Sequence, residues 1–425
     1  ATRRIASCDQ CGLCKTVCPQ RIDMGEFLLQ SHRGLKETDA MPWAFHDYWL
    51  RDMEFSRSEA SLLIKGGEGG YVLFPGCQMA ASDPDYVTDT FGWMREHFPE
   101  AGLWLNCCGA PAVWAVEDEL HAEHLQDLTD QWMKLGCPTL VFTCPTCRKM
   151  FDRYLPQIPG VFLEELMAEY GVPGEGTGSG ALGEGAECGA PVRIAEFAVF
   201  DPCASRDYPQ LQQAVRKLAD RLGVRHEDLS HTGDLARCCS FGGQYSIAAP
   251  DYAKRVRMER AEESPLPYIT YCVNCRDTFA SRGKENVHIL DLAFGRTDRR
   301  RETPTLTGRW ENRRHLREAL AEKYSAAAGG DPETESRKEK SNMKLLAEKE
   351  LEKKLSDQYI LISDMEEVIA YCEENGCGVW NPATGHITGH KKLGHMTYWA
   401  EYESLPDGTF RLWNGYAHRM NLEGE

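Results

Sequence analysis

The chain is 425 residues long, carries 18 cysteines and has a formal net charge of −17. That length suits two or three domains with ample core, and the acidity excludes nucleic acid as a partner, because phosphate contacts need a basic face. No run approaches the eighteen or more apolar residues of a membrane-crossing helix. Residues 1–30 hold cysteines and charges where a signal peptide needs an apolar stretch, so the expected location is cytoplasmic, at most peripheral to a membrane complex.

Four cysteines open the chain. Cys8, Cys11, Cys14 and Cys18, with Pro19 behind them, follow the C-x2-C-x2-C-x3-C-P spacing of bacterial ferredoxins. Three closely spaced thiolates on one loop can hold three corners of a cubane [4Fe–4S] cluster. The fourth cysteine of such a run either completes that cluster or serves a second one, and both readings stay open. The favoured one makes residues 1–60 the second half of a two-cluster ferredoxin-like domain.

From Cys77 to Cys275 one five-cysteine pattern runs twice. Cys77, the pair Cys107–Cys108 and Cys144-x-x-Cys147 form the first copy; Cys203, Cys238–Cys239 and Cys272-x-x-Cys275 form the second. Matching cysteines lie 126 to 131 positions apart, far beyond a solenoid repeat and typical of a duplicated half-domain. A lone CxxC is shared by zinc sites and redox dithiols, but this order twice over points to two multi-thiolate metal sites. Short apolar runs precede most of these cysteines: Tyr71 to Phe74, Leu103 to Leu105, Leu140 to Thr143, Ala198 to Phe200 and Tyr268 to Tyr271. Bounded by Gly and Pro, they predict buried strands of a parallel sheet. Only Cys238–Cys239 lacks such a run. Helical periodicity lies between them, with Leu125, Leu128, Trp132 and Leu135 on one face and Leu211, Val215, Leu218 and Leu222 on another. Strand, cysteine and helix in turn put the thiolates at the carboxyl ends of parallel strands, where open α/β sheets hold ligands. Each copy closes alike, at Val161 to Leu166 and at Val287 to Leu292.

The order Cys, Cys-Cys-Gly, Cys-x-x-Cys in tandem resembles the cysteine-rich CCG domain of the heterodisulfide reductase catalytic subunit. The same domain occurs in iron–sulfur subunits of glycolate, lactate and glycerol-3-phosphate dehydrogenases. The resemblance spans about 70–300. It implies two [4Fe–4S] clusters of noncubane type, one on Cys77, Cys107, Cys108, Cys144 and Cys147, the other on Cys203, Cys238, Cys239, Cys272 and Cys275. In the reductases a disulfide is cleaved between two such clusters, so these ten cysteines would surround the catalytic site. One departure is visible: Ser240 follows the second pair where the motif has glycine, placing a side chain where backbone approaches the cluster.

The expected fold is therefore α/β, with tandem pseudo-symmetric CCG half-domains at 70–171 and 191–324 and parallel sheets. A small helical ferredoxin-like segment comes before and a small α+β module, 343–425, after. The glycine-rich 172–190, with Cys188 near its end, and the charged 325–342 read as linkers. Trp310 to Tyr324 predicts a solvated surface helix with a basic face. In the last module Met343 to Leu355 predicts a helix, Ser363 to Glu366 a capping box, and Pro406 to Gly408 a turn between two strands. Cys372-x4-Cys377 with His386, His390 and His395 is a zinc candidate at the edge of zinc spacings; an interaction module is favoured.

Function follows as an oxidoreductase subunit, active only within a complex. Electrons would pass from a flavoprotein or another iron–sulfur subunit through the N-terminal cubane to clusters that reduce, or form, a small-molecule or protein disulfide. The alternatives are an electron-relay subunit of an FAD-dependent glycolate-, lactate- or glycerol-3-phosphate-type dehydrogenase, and a scaffold within a larger membrane-associated or bifurcating complex. No nucleotide fingerprint accompanies them, since Gly66 to Gly70 precedes a strand instead of following one.

Overall fold

The structure, a computed structural model, describes residues 2–38, 40–66, 70–173, 196–296, 298–327 and 343–418. Nearly all of both expected linkers, and Cys188 with them, lie outside the described residues. Two compact units emerge: residues 1–42 with 53–303, and residues 43–52 with 304–425.

The first unit holds two sheets. Strands β1 (Leu63–Lys65), β2 (Tyr71–Phe74), β3 (Gly102–Leu105), β4 (Thr139–Phe142) and β5 (Gly160–Phe162) lie in the order β1-β3-β2-β4-β5. All neighbours are parallel except β1, which runs antiparallel along β3. Strands β6 (Glu196–Val199), β7 (Arg225–Asp228), β8 (Tyr268–Thr270) and β9 (Asn286–His288) lie in the order β7-β6-β8-β9, all parallel. Each copy thus has its second strand outside its first, then the third and fourth, the doubly wound order whose switch point lies between first and third strands.

Burial explains why the apolar runs form strands. Val72, Leu73, Phe74, Leu140, Val141 and Phe142 are fully buried, as strands covered on both faces must be. Phe74 meets Trp104, Phe142 and Phe151 at ring-centroid distances of 5.3, 5.7 and 5.1 Å; each such ring contributes about 1.5–3 kcal/mol by leaving water. The polar β7, Arg-His-Glu-Asp, is an exposed edge strand whose residues carry no apolar signal. It supplies the strand that was missing before Cys238.

The second unit has its own sheet, from β10 (Leu345–Leu346), β11 (Val379–Trp380), β12 (Ile387–Leu393), β13 (Met396–Ser404) and β14 (Phe410–His418), in the order β10-β14-β13-β12-β11. Helix Ile362–Asn375 covers one face, burying Met365, Val368, Ile369 and Cys372 against Tyr398, Ala400 and Tyr402. Three expectations are corrected here. The helix predicted from Met343 starts at Lys349, because Leu345 and Leu346 pair with Phe410 and Arg411 as an edge strand. The second helix opens at Ile362, with Asp364 accepting from the Leu361 N–H at 2.8 Å, so Asp364 and not Ser363 caps it. Helix Leu306–Ala327 is no solvated surface element: Arg309, Arg313, Leu316 and Leu320 are buried, and Arg313 is paired with Asp52.

Candidate metal centre

Helix starts and strand ends gather the cysteines. Cys77 opens helix Cys77–Ser82 just after β2, and Cys144, just after β4, caps helix Pro145–Tyr154. These strands flank the switch point of the first sheet. In the second copy Cys203 opens a single turn, Cys203–Ser205, after β6, and Cys272 caps helix Val273–Ala280 after β8. Thiolates are favoured at helix N-termini.

The contacts among thiols repeat between copies. Cys77 and Cys107 sulfurs are 3.8 Å apart, Cys203 and Cys238 3.6 Å. Cys108 bonds Cys147 as Cys239 bonds Cys275, the latter at 3.2 Å. Each CxxC pair is also in contact, Cys144 with Cys147 and Cys272 with Cys275. All ten thiols are free of disulfides. The second cysteine of each adjacent pair is the acidic one. Hydrogen bonds from Cys107 and Cys147 bring Cys108 down to about 6, and bonds from Cys238 and Cys275 lower Cys239 well below the usual thiol value. Their donors Cys107 and Cys238 are pushed up, the first mainly by its bond to Cys108 and the second by its bond to Cys203.

Backbone groups complete the cradle. Gly109 N–H points at Cys107 Sγ at 3.5 Å and Ser240 N–H at Cys238 Sγ at 3.2 Å, the N–H···S bonds that tune sulfur-held metals. A donor set made only of thiols, some of them acidic (hydrogen bonds, chiefly from Cys147, bring Cys144 down to about 7 as well), fits a soft-metal cluster. Among the described residues no three His, Cys, Asp or Glu side chains converge as ligands of a single ion. The sulfurs run instead as a chain of contacts, which suits several irons that each need a thiolate.

Gly76 shows how tight the first cradle is. It sits at φ 73°, and a Cβ there would lie 2.7 Å from Cys147 Sγ. Gly76→Ala is therefore expected to strain the backbone and displace that thiol, lowering iron bound at the first set while the second keeps its own; iron analysis and EPR check this.

The structure also places side chains that the spacing did not reveal. His121 and His124 form the buried face of helix Asp118–Lys134 with Leu128, whereas Leu125, Trp132 and Leu135 are only half-buried. His124 Nε2–H donates to Cys107 O at 2.9 Å, and burial holds its ring neutral, down to about 4. Glu164, fully buried in the closing helix of the first copy, has no hydrogen-bond partner among the described residues beyond its own backbone N–H. Burial raises its carboxyl from 4.5 to about 8. The folded chain holds that proton up to about pH 8 while the unfolded chain releases it near 4.5, so stability falls as pH rises across this window. Glu164→Gln should stabilise the protein by about 2–4 kcal/mol at pH 8 and hardly at all at pH 5, measured by denaturant unfolding under argon.

The N-terminal quartet packs against the second set. Gly12, at φ 76°, turns the loop between Cys11 and Cys14. Cys8 Sγ accepts from Gln10 N–H at 3.4 Å, Cys14 Sγ accepts from Met24 N–H at 3.3 Å, and Cys18 Sγ donates to Gln20 at 3.6 Å. Burial, and next the neighbouring Cys203, push Cys11 up to about 12. Asp9 is raised to about 7 by burial and by Cys239, and it accepts from Ser240 Oγ at 3.2 Å. Ser240 takes the left-handed conformation, φ 67°, that Gly109 takes at 82° in the first copy. The serine thus preserves the turn, and its hydroxyl ties the N-terminal loop to the second thiol set. The visible signal was the departure from glycine; its meaning needed Asp9.

The copies also pack reciprocally. Helix Val273–Ala280 meets helix Cys77–Ser82, and helix Pro145–Tyr154 meets the Cys203–Ser205 turn. Ser82 Oγ donates to Asp277 at 3.0 Å and Tyr208 OH to Asp152 at 2.6 Å. Each CxxC helix therefore rests on the first-cysteine segment of the other copy.

In the last module the zinc candidate does not assemble. His386 pairs with Glu401 at 2.8 Å and stacks on Trp413, His390 stacks on Trp399, and His395 stacks on Trp43.

Two parallel α/β half-domains, each gathering five thiols at its strand ends, define a tandem cysteine-rich redox protein. The family model described as a cysteine-rich domain, CCG, matches residues 71–152 and 197–280, which are these two half-domains and point to iron–sulfur chemistry. No curated protein matches the chain. Among the described residues no helix is long and apolar enough to cross a membrane.

Proposed function

We propose that the chain is an iron–sulfur oxidoreductase subunit of heterodisulfide reductase type, which reduces or forms a disulfide between its two CCG sites. The reciprocal packing of cysteine-bearing elements carries this reading, since it sets both five-thiol sets at the junction of the copies. Cys77, Cys107, Cys108, Cys144 and Cys147 would hold one cluster, and Cys203, Cys238, Cys239, Cys272 and Cys275 the other. Cys8, Cys11, Cys14 and Cys18 would hold a cubane beside the second set. When bound, such clusters supply electrons one at a time. The chain's own part is to keep the thiols in contact, to hold Cys108, Cys144 and Cys239 acidic, and to dock the N-terminal loop through Asp9 and Ser240. Proximity of Cys11 to Cys203 supports electron entry at the second set. The donor would be a flavoprotein or another iron–sulfur subunit.

A panel of small and protein disulfides tests this. Adding the right disulfide to the reduced protein should change the EPR signal of a CCG site. Silence across the panel, with rapid reduction by a flavin dehydrogenase, would replace this reading with that of an electron-relay subunit.

A further inference from the structure

The second unit contains a thiol pair that the CCG chemistry does not use. Cys372 lies in the last turn of helix Ile362–Asn375 and is buried, while Cys377 is exposed. Gly376 ends the helix in the left-handed conformation at φ 60°, and Cys377 N–H reaches back to Cys372 C=O at 3.3 Å. That six-to-one bond is the mark of a Schellman turn, which brings the side chains of its first and sixth residues together. Usually those two are apolar; here both are cysteine, and their thiols lie within hydrogen-bond reach. The pocket is shaped around the inner sulfur. Cys372 Sγ donates to His390 C=O at 3.8 Å, and Gly389 leaves no room for a Cβ beside it.

We propose that Cys372 and Cys377 are a redox-active dithiol that reduces accessible disulfides and closes to an intrachain disulfide across this helix end. The exposed sulfur attacks and the buried one resolves. Cys377 thiolate attacks one sulfur of a substrate disulfide, breaking that S–S bond; the departing substrate thiolate takes up the proton Cys377 lost. Cys372 then gives up its proton and attacks Cys377 Sγ in the mixed disulfide, releasing the second substrate thiol. Two electrons pass from the dithiol to the substrate, and two protons accompany them. Burial and the neighbouring Cys377 push the Cys372 thiol up to about 12, so it stays protonated until the mixed disulfide sits against it. Glu373 and the negative end of the helix dipole add to this effect on Cys372.

Full-length protein incubated with glutathione disulfide, then unfolded, alkylated and digested, reads the site through one peptide carrying both cysteines. Wild type should lose both free thiols from that peptide as an internal disulfide. Cys372→Ser should trap glutathione on Cys377. Cys377→Ser, an exposed position that leaves the core intact, should keep Cys372 fully alkylatable. A wild-type peptide that stays fully alkylated, or carries glutathione as its final product, overturns the proposal. Iron content, read on the same samples, reports the CCG sites separately, so failure of either reading is distinguishable from failure of the other.

Discussion

Anaerobically isolated protein should carry about twelve irons per chain with matching acid-labile sulfide, four for each of three clusters, and Cys147→Ser should remove about a third of both. Cys147 is the sharpest choice because it links two other thiols of its set, touching Cys108 on one side and Cys144 on the other. Its loss would remove a proposed ligand and also a donor that makes Cys108 acidic. The second copy has its own sheet and its own contacts, so its EPR signal should persist. Cys275→Ser should give the mirror result, since Cys275 stands between Cys239 and Cys272 in the same way. Stoichiometric zinc with little sulfide in the wild-type protein would overturn the iron–sulfur reading altogether.

What could be read in advance, and what could not, follows from how local each signal is. Strands β2, β4, β6 and β8 were legible because a strand buried on both faces must be apolar throughout. The edge strands β1 and β7 were not: β7 is Arg-His-Glu-Asp and owes its conformation to pairing with β6. The thiol sets were legible from spacing because each strand end and helix start delivers its cysteine locally. His124 behind Cys107 was missed, since a histidine on a helix face carries no signal of what it backs. The basic stripe of helix Leu306–Ala327 was misread for a related reason. Arg313 is buried against Asp52, more than 250 positions earlier in the chain, and no local pattern announces so distant a partner. The N-terminal loop's docking on the second copy is likewise a tertiary fact, visible beforehand only as one serine in place of glycine.

Arg51→Ala should unfold the second unit at a temperature lower by on the order of 10–20 °C. Arg51 reaches Asp47 at 3.1 Å, Asp364 at 2.6 Å and the Tyr398 hydroxyl at 2.6 Å, and both carboxylates are 4% exposed. One guanidinium fork thus neutralises two buried charges at once, joining residues 43–52 to the capping aspartate of helix Ile362–Asn375 and to β13. Removing it leaves both carboxylates buried without their counter-charge, a loss of about 3–5 kcal/mol. Arg51→Lys should fall between, because an ammonium cannot span both acceptors in the fork geometry. Acid distinguishes this account from a simple packing defect. Burial already raises the Asp364 carboxyl above its usual value even with Arg51 present, so without the arginine the folded state favours the protonated carboxyl further. The deficit should therefore shrink as pH falls towards 5 and widen above it. Hydrogen exchange of strand Met396–Ser404, followed across pH, reads this directly; a deficit independent of pH would show that lost packing, and not the stranded carboxylates, destabilises the variant.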